Sequence, residues 1–244
     1  MSSAQAVQRV SLQPAYILHS RDYRDSSVIL DVLTPQFGRV SLVARGVRQA
    51  KSNRRALLQP FRALLVSWQG RGGLFTLTTV EESGRPIVLE NLHLACGYYM
   101  SELVQRLLVQ AEHNTELFAL YDETIRALQL KSDPEPLLRR FEIQLLQSLG
   151  LLADFSQCAD QQAVDPQLDY DFRTEFGAIA LQGSAAATGV KVSGKTLLAM
   201  QALDFSDPQI RNEAKTLMRA ILREHLGAKP LYSRELFHVY AKNH

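Results

Sequence analysis

The sequence predicts an α+β protein in which an N-terminal five-stranded OB-fold barrel is followed by an all-α domain with a small irregular insert. Three observations predict this class. Residues 15–81 form short segments in which apolar and polar side chains alternate, separated by turn residues. After Glu81 the apolar side chains recur at helical spacing. Between residues 151 and 192 this regularity fails, which indicates the insert.

The alternating segments predict three strands, a longer connection and then two more strands. Their expected bounds are 15–21, 26–33, 39–45, 61–69 and 74–81. A turn at 34–38 joins the second strand to the third, and a basic segment at 46–58 leads to the fourth. This order is typical of the OB barrel, which binds single strands across one sheet face and its adjoining loops.

Helix signals follow the barrel. Caps are expected at Asn114 or Thr115, at Asp133 before Pro134, at Ser193, at Asp207 before Pro208 and at Ser233. The predicted helices are 92–112, 114–130, 133–150, 193–203, 207–226 and a last one from 233. A hairpin is expected within the insert, around 175–177. The predicted domains are the barrel, 1–83, the first helical part, 84–152, the insert, 153–192, and the C-terminal helical part, 193–244.

A cationic stretch lies within the predicted barrel. The chain has 27 basic and 25 acidic side chains, yet no acidic residue occurs between Asp31 and Glu81. Lys and Arg placed against phosphates release condensed counterions, so a polyanion is the expected partner. The predicted DNA-binding residues are Arg39, Arg45, Arg48, Lys51, Arg54, Arg55 and Arg71.

A solubilising surface is the alternative interpretation of this stretch. Binding is favoured because the basic residues alternate with apolar strand positions and have no carboxylates among them. The aromatic residues of this region are Tyr23, Phe37, Phe61, Trp68 and Phe75. Trp68 shares a strand face with Leu64 and Val66, so burial is expected for it rather than stacking on a base.

Cellular context follows from what the sequence contains. Cys96 and Cys158 are far apart and form no C-x-x-C pair, which favours a reducing cytoplasm over a disulfide scaffold. No apolar run approaches the roughly 18 residues needed to cross a bilayer. The start of the chain lacks an apolar signal core. A cytoplasmic protein without membrane association is therefore predicted.

The third predicted helix carries a possible peptide site. Arg139, Ile143 and Leu146 follow one line along it, so an arginine heads an apolar strip that can bind a peptide carboxylate and the side chains before it. Arg140 is adjacent. The alternative is that both arginines pair with Glu142 or Glu135 on the surface.

A second motif indicates a different function. Residues 189–196 read GVKVSGKT and satisfy the G-x-x-x-x-G-K-T spacing of a phosphate-binding loop. The 48 residues after Thr196 read as helices and leave no room for the parallel sheet that such a loop requires. The six histidines form no metal-binding spacing and there is no G-x-S-x-G. The sequence therefore predicts no enzyme, no cofactor and no metal.

Several segments resemble the RecO family of bacterial recombination mediators. In the barrel these are ILHSR at 17–21, SSVILDV at 26–32, GRV at 38–40, VARG at 43–46 and LQPF at 58–61. Further on they are PEP at 134–136, LRRFE at 138–142, LG at 149–150, LG at 226–227, KPL at 229–231 and SRELF at 233–237. The resemblance spans almost the whole chain in the same order.

The resemblance implies an OB barrel and a helical domain that bind single- and double-stranded DNA and anneal complementary strands. It implies action with RecR to load RecA onto DNA coated by single-stranded-DNA-binding protein. The family docks the acidic, phenylalanine-ending tail of that coating protein in the helical domain, and Arg139 matches an arginine that takes part. Some relatives hold zinc on four cysteines in the insert, whereas only Cys158 stands there in this chain, so no zinc is expected.

Three function classes follow. The first is a DNA-annealing mediator. The second is an ATP-dependent enzyme using 189–196, and the third is an adaptor whose helical groove binds a peptide while its barrel binds another protein.

Overall fold

The computed structural model describes residues 7–49, 54–110, 112–181 and 187–241. The chain divides into two compact units. The first is Met1–Ser132 with Leu231–His244, and the second is Asp133–Pro230. This division follows contacts between residues and differs from the domain boundaries expected after residues 83, 152 and 192, which stay a prediction.

The first unit contains the predicted five-stranded barrel. Its strands are β1 (Gln8–Tyr23), β2 (Ser27–Thr34), β3 (Gly38–Ala44), β4 (Leu64–Gly70) and β5 (Leu74–Glu82). They close in the order β1-β2-β3-β5-β4, with β3 and β5 parallel and the other neighbours antiparallel. The α+β class with an N-terminal OB-like sheet is thereby confirmed. The first strand begins at Gln8, earlier than the predicted residue 15.

The length of β1 closes the barrel. Its first half pairs with β4, from Gln8 opposite Gly70 to Ala15 opposite Leu64, and its second half pairs with β2. The register shifts between Val10 and Gln13, and again between Ile17 and His19. Such bulges bend a strand sharply enough for it to join two sheet edges.

The barrel interior holds the apolar half of each alternating segment. Trp68 is 1% exposed, as expected, and Phe37 packs edge-on against it with ring centroids 5.2 Å apart. Thirteen buried residues form the core: Ala15, Ile17, Leu30, Val32, Val40, Leu42, Ala44, Val47, Leu58, Leu64, Val66, Trp68 and Leu77. Burial of this size stabilises the barrel by about 25 cal/mol for each Å² of apolar surface removed from water.

In the described part of the chain, the first unit has four helices, of which three contact barrel strands and the last packs against the second. They are α1 (Arg54–Leu57), α2 (Asn91–Leu107), α3 (Thr115–Gln129) and α7 (Ser233–Ala241). The short α1 was not predicted. Of the two expected caps, Asn114 and Thr115, it is Asn114 that caps α3, by accepting a hydrogen bond from the Leu117 N–H.

Two contacts fasten the barrel to the segment between α2 and α3 and to α3 itself. Gly38 has a φ of +56°, and a Cβ at this position would overlap the carbonyl oxygen of Glu112. Tyr16 on β1 donates its hydroxyl hydrogen bond to Asp122 on α3, whose carboxylate also accepts from Arg126. Burial and the hydrogen bond to Asp122 raise the pKa of Tyr16. Burial raises the pKa of Asp122, but the hydrogen bonds from Arg126 and Tyr16 outweigh it and leave that pKa below its usual range.

The second unit combines helices with a small sheet. Its elements are α4 (Pro134–Ser148), β6 (Asp169–Arg173), β7 (Gly177–Ala180), β8 (Val190–Ser193), α5 (Gly194–Gln201) and α6 (Pro208–Leu226). The caps Asp133, Ser193 and Asp207 stand where the sequence placed them. The expected hairpin is β6 with β7. The third strand, β8, was not predicted and pairs with the other edge of β6.

Gly38→Ala is expected to destabilise the first unit more than Gly46→Ala does. Both glycines have positive φ, +56° and +71°, so each change carries about 1–2 kcal/mol of backbone strain. Only at Gly38 does the new Cβ also meet backbone, whereas at Gly46 it makes ordinary contact with Gln49. We expect Gly38→Ala to lose roughly 1–3 kcal/mol more in denaturant unfolding. Equal losses of unfolding free energy would show that the backbone at Glu112 moves away from the new Cβ at no energetic cost.

Candidate nucleic-acid interface

Strand β3 turns alternate side chains outward from the barrel. Val40, Leu42 and Ala44 are buried in the core, while Arg39, Ser41 and Val43 are partly exposed. Arg45 follows directly, has the same parity and is exposed. Because strand side chains repeat every two residues, Arg39 and Arg45 share the outer face.

Arg39 is engaged within the first unit. Its Nε donates to the Leu108 carbonyl at 3.1 Å, its Nη1 lies 4.0 Å from Asp31, and its side chain is only 21% exposed. Asp31 is buried and also accepts hydrogen bonds from Ser41 and Gln105. This guanidinium therefore compensates a buried carboxylate and a helix C-terminal carbonyl, and it is not presented to solvent as the sequence led us to expect.

Arg45 and Arg48 are presented to solvent at the end of β3. Arg45 has no salt bridge among the described residues, and Arg48 is held by its backbone N–H to the Ser26 carbonyl at 3.0 Å. The Arg48 guanidinium lies 3.3 Å from Asp22, on side chains that are 42% and 70% exposed. Exposed pairs of this kind contribute about 0–1 kcal/mol, so a phosphate can exchange with Asp22 at little cost.

Arg54 and Arg55 extend the same cationic end from helix α1. The Arg54 guanidinium donates to the Thr78 carbonyl at 3.1 Å, and both side chains are exposed. Thr76 on β5 pairs with Val43 on β3. Thr78 and Arg45 each lie two residues further along their own chain segment. Since β3 and β5 are parallel, Arg54 binds at the level of Arg45.

Arg71 lies elsewhere on the barrel. It is exposed in the loop that precedes Leu74, and Leu74 pairs with Ser41, four residues before Arg45. At about 3.3 Å per residue, more than roughly 13 Å of strand separates it from the Arg45 end. Lys51 lies outside the described residues.

Two further cations belong to the Arg45 end and were missed in the sequence. Arg21 pairs with Ile29, which pairs with Val43, and this places Arg21 on the outer face of β1. Arg24 lies in the β1–β2 turn with its guanidinium carbon 5.1 Å from the centre of the Tyr23 ring. They escaped notice because Asp22 and Asp25 interrupt the charge pattern there. We define the barrel cationic end as Arg21, Arg24, Arg45, Arg48, Arg54 and Arg55.

The aromatic side chains are mostly structural. Trp68 and Phe37 belong to the barrel core, and Phe61 is 4% exposed and packs edge-on against Tyr98. Phe75 is partly buried against the core. Tyr23, beneath Arg24, is the aromatic ring that adjoins the cationic end and therefore the best placed for base stacking.

The expected peptide site on α4 is largely closed. Arg139 is 8% exposed and forms an ion pair with Glu142, three residues on, which has no exposed surface. Ile143 and Leu146 also have no exposed surface. The expected apolar floor of an open groove is thus corrected, because both side chains are used in the core. Arg140 is exposed and donates from Nε to the Leu203 carbonyl at 3.1 Å.

Arg139 keeps one feature of a binding residue. Its Nε is buried and has no hydrogen-bond acceptor in the part of the chain that the structure describes. Buried guanidinium N–H groups normally find an acceptor, because leaving one without a partner costs about 1–3 kcal/mol. An incoming carboxylate would supply one.

The G-x-x-x-x-G-K-T segment does not form a phosphate-binding loop. Val190–Ser193 is strand β8, whose backbone pairs with β6, so its N–H groups cannot converge on a phosphate. Ser193 and Thr196 bond to Glu213, and Lys195 pairs with Asp207 at 2.9 Å. Burial raises the pKa of Glu213, but the hydrogen bonds from Thr196 and Ser193 hold it below its usual range. The segment joins β8 and α5 to α6.

The described residues contain neither a metal-binding cluster nor a membrane-spanning helix. Across the described ranges, no group of three or more His, Cys, Asp and Glu side chains is arranged to hold a metal ion. None of the helices described is both long and apolar enough to span a bilayer.

Comparison with known proteins places the chain in a family. Residues 9–83 match the family model described as "Recombination protein O N terminal", and residues 91–235 match "Recombination protein O C terminal". The chain belongs to the RecO family. It is 44% identical over 232 residues to the "DNA repair protein RecO" of Cellvibrio japonicus, covering 94% of this chain and 97% of that protein.

Other relatives agree with the family assignment. A Haemophilus influenzae protein of the same name is 39% identical over 227 residues, covering 93% of this chain and 95% of that protein. A Nitrosococcus oceani protein, also so named, is 42% identical over 230 residues, covering 93% of each. The resemblance found in the sequence is confirmed, and RecO membership supports a role in DNA repair and recombination.

Arg39→Gln is expected to lower stability, whereas Arg45→Gln is not. Removing the Arg39 guanidinium leaves the buried Asp31 and the Leu108 carbonyl each with one partner fewer, at a cost of about 1–3 kcal/mol. Arg45 has no such contact, so its change should stay within about 0.5 kcal/mol. Thermal unfolding of the two matched variants tests the difference. Equal melting temperatures would show that the contacts of Arg39 do not stabilise the fold, and Arg39 would then count as a solvent-facing cation.

Proposed function

We propose that this protein is a DNA-binding recombination mediator. It binds single- and double-stranded DNA, anneals complementary strands, and with RecR helps to load RecA onto DNA coated by single-stranded-DNA-binding protein. The observation that carries the proposal is the barrel cationic end, where exposed arginines of β1, the β1–β2 turn, the segment after β3 and α1 lie at one end of the barrel with little ion pairing. Membership of the RecO family supports it.

The proposed binding is electrostatic. Each guanidinium placed against a phosphate releases condensed counterions, which strengthens binding at low salt without reading the base sequence. Arg45 and Arg55 have no salt bridge among the described residues, and the Arg48 guanidinium has two exposed contacts, a pair with Asp22 and a hydrogen bond to the Arg24 carbonyl, both at 3.3 Å. Little existing interaction must therefore be broken before DNA binds.

Annealing is possible because the protein would hold the DNA strand by its phosphates. Contacts to phosphates leave the Watson–Crick edges free for a second strand. The bound cations also reduce the repulsion between two polyanions. At 0.1 M salt this repulsion still acts over a Debye length of about 10 Å. No nucleotide hydrolysis is needed in this mechanism, in agreement with the strand geometry of residues 190–193.

The double variant Arg45→Glu/Arg48→Glu is expected to weaken single-strand binding for all sequences. The slope of log affinity against log salt should fall by at least about 1.4, since each phosphate contact contributes roughly 0.7 on single strands. Fluorescence anisotropy of a labelled oligonucleotide across a salt titration, with a strand-annealing assay lacking ATP, makes the measurement. Arg48→Glu faces Asp22, so Arg48→Gln repeats the test without a new like-charge pair.

The matched control is Arg9→Glu/Arg85→Glu. Both arginines are exposed, and Arg9 pairs with Gln69 on the β4 side of the barrel. The control changes the charge equally and should retain the wild-type slope. Full binding by the Arg45→Glu/Arg48→Glu variant would favour the adaptor alternative, in which the barrel binds a protein.

We further propose that Arg139 receives the terminal carboxylate of the acidic tail of single-stranded-DNA-binding protein. The buried Nε without an acceptor among the described residues supports this, and the adjacent exposed Arg140 adds positive charge for the acidic residues. Docking would then bring the barrel to coated DNA by raising its effective concentration there. Ile143 and Leu146 take no part, because both are buried.

The paired change Arg139→Gln/Glu142→Gln is expected to reduce tail affinity at least about tenfold, which is a loss of about 1.4 kcal/mol. Both residues are changed because Arg139→Ala alone would leave the carboxylate of Glu142 buried without its cation. Calorimetry with an acidic peptide ending in phenylalanine measures the affinity. Annealing of naked DNA should be unchanged. Arg140→Gln is the control for charge alone, and tail affinity that survives the paired change would exclude Arg139.

A further inference from the structure

Helix α6 carries basic residues at every fourth position. These are Arg211, Lys215, Arg219 and Arg223. Residues four apart in a helix lie on nearly the same side and drift slowly around the axis. The helix contacts α4, α5 and β8, and its apolar residues Ile210, Ala214, Leu217, Met218, Ile221 and Leu222 are buried. The basic series therefore runs from the edge of the buried face towards solvent.

The first two cations of this series are already neutralised. Arg211 lies 3.2 Å from Asp133, the cap of α4, and Lys215 lies 2.8 Å from Glu135 in the first turn of α4. Arg219 and Arg223 are exposed, and neither forms a salt bridge with any residue that the structure describes. The cations of this series that have no salt bridge among the described residues therefore lie in the second half of the helix.

Asn212, Thr216, Arg219 and Arg223 together make up the outer face of α6. All four are exposed, at spacings i, i+4, i+7 and i+11, and they span about 17 Å along the helix at 1.5 Å per residue. Asn212, Arg219 and Arg223 can each donate a hydrogen bond to a ligand, whereas the Thr216 hydroxyl already donates to the Asn212 carbonyl at 3.1 Å. The carboxylate of Glu213 is turned to Ser193 and Thr196.

Glu224 is exposed but lies about 100° further round the helix than Arg223. No carboxylate therefore lies on the line of Asn212, Thr216, Arg219 and Arg223.

We propose that the outer face of α6 binds the phosphate backbone of nucleic acid, as a second contact surface on the second unit. This inference rests on the proposed DNA-binding function and adds a site that the barrel cationic end does not include. Arg, Asn and Thr are side chains that commonly contact phosphate oxygens, and such contacts position a protein without reading sequence. Two surfaces on one chain neutralise more phosphates and can hold one strand while the other is paired.

An acidic peptide fits this face less well. Peptides that dock on helices anchor apolar side chains in a groove, and charge alone gives weak attachment. None of the exposed large apolar side chains among the described residues belongs to α6. A polyphosphate needs no apolar anchor, because counterion release supplies the binding free energy.

The test compares two double variants that remove the same charge from the same unit. Arg219→Gln/Arg223→Gln removes the unpaired cations of α6. Lys191→Gln/Lys195→Gln removes two exposed lysines already paired with Asp169 and Asp207 at 2.8 Å and 2.9 Å. A labelled mixed-sequence duplex is titrated at several salt concentrations. Circular dichroism and melting temperature verify that each variant is folded, which is expected because these side chains are exposed.

The expected result is a duplex salt slope smaller by about 1.8 for Arg219→Gln/Arg223→Gln, since each phosphate contact contributes about 0.9. The lysine variant should match wild type. An unchanged slope in the α6 variant, or an equal fall in both, would overturn the inference. So would a wild-type slope combined with weaker binding of a polyglutamate peptide, because the face would then be a peptide surface.

The barrel variant Arg45→Glu/Arg48→Glu, measured in parallel, separates this inference from the proposed function. A loss confined to the barrel variant rejects the α6 surface and leaves the mediator proposal in place. A loss confined to the α6 variant supports the second surface and removes the barrel cationic end from DNA binding. Losses in both variants support both.

Discussion

The buried carboxylate of Asp31 determines how the barrel can be used. A charge removed from water on the outer face of β2 must be compensated, and Arg39, Ser41 and Gln105 supply the partners. Gln105 and the Leu108 carbonyl bring the end of α2 onto this part of the sheet. The outer face is thereby divided into a part covered by the first unit's own chain and a part, near Arg45, that remains open.

Packing, more than position in the sequence, decides which cationic side chains of this protein are paired and which are exposed. Arg39 and Arg45 are six residues apart and share a strand face. Arg39 nevertheless contacts Asp31 within the protein, whereas Arg45 is exposed to solvent. On α6 the same sorting occurs lengthwise, because Asp133 and Glu135 reach only its first half. A formal charge of +2 therefore describes neither surface. Local arrangement decides where a polyanion finds cations without partners.

Much of the fold could be predicted because its signals are local. Alternation gave the barrel strands, and Asn114, Asp133 and Asp207 marked helix starts through hydrogen bonds to N–H groups a few residues away. The first half of β1 was missed because its side chains face solvent or are only partly buried, so apolar alternation is faint. Strand β8 was missed because it exists only by pairing with β6, some twenty residues earlier in the chain.

The candidate site was predicted less completely, since it depends on contacts between distant residues. Nothing in the pattern of Ile143 and Leu146 distinguishes a groove from a sealed core, and only packing shows that both are enclosed. Arg21 belongs with Arg45 through the register of three strands, which no sequence spacing reveals. The G-x-x-x-x-G-K-T match was misleading for the converse reason: the spacing is present, but its backbone is committed to a sheet.

The ring of hydrogen-bonded strands has a consequence for recognition. Since β4 closes onto β1, each barrel strand has hydrogen-bonded neighbours on both sides. The short pairing of 41–43 with 74–76 is the place where part of a strand edge is left without a strand neighbour, so an extended polypeptide finds little edge to join. A ligand of this barrel is therefore recognised mainly by side chains that project from the barrel surface. Such a surface tolerates ligands of any sequence.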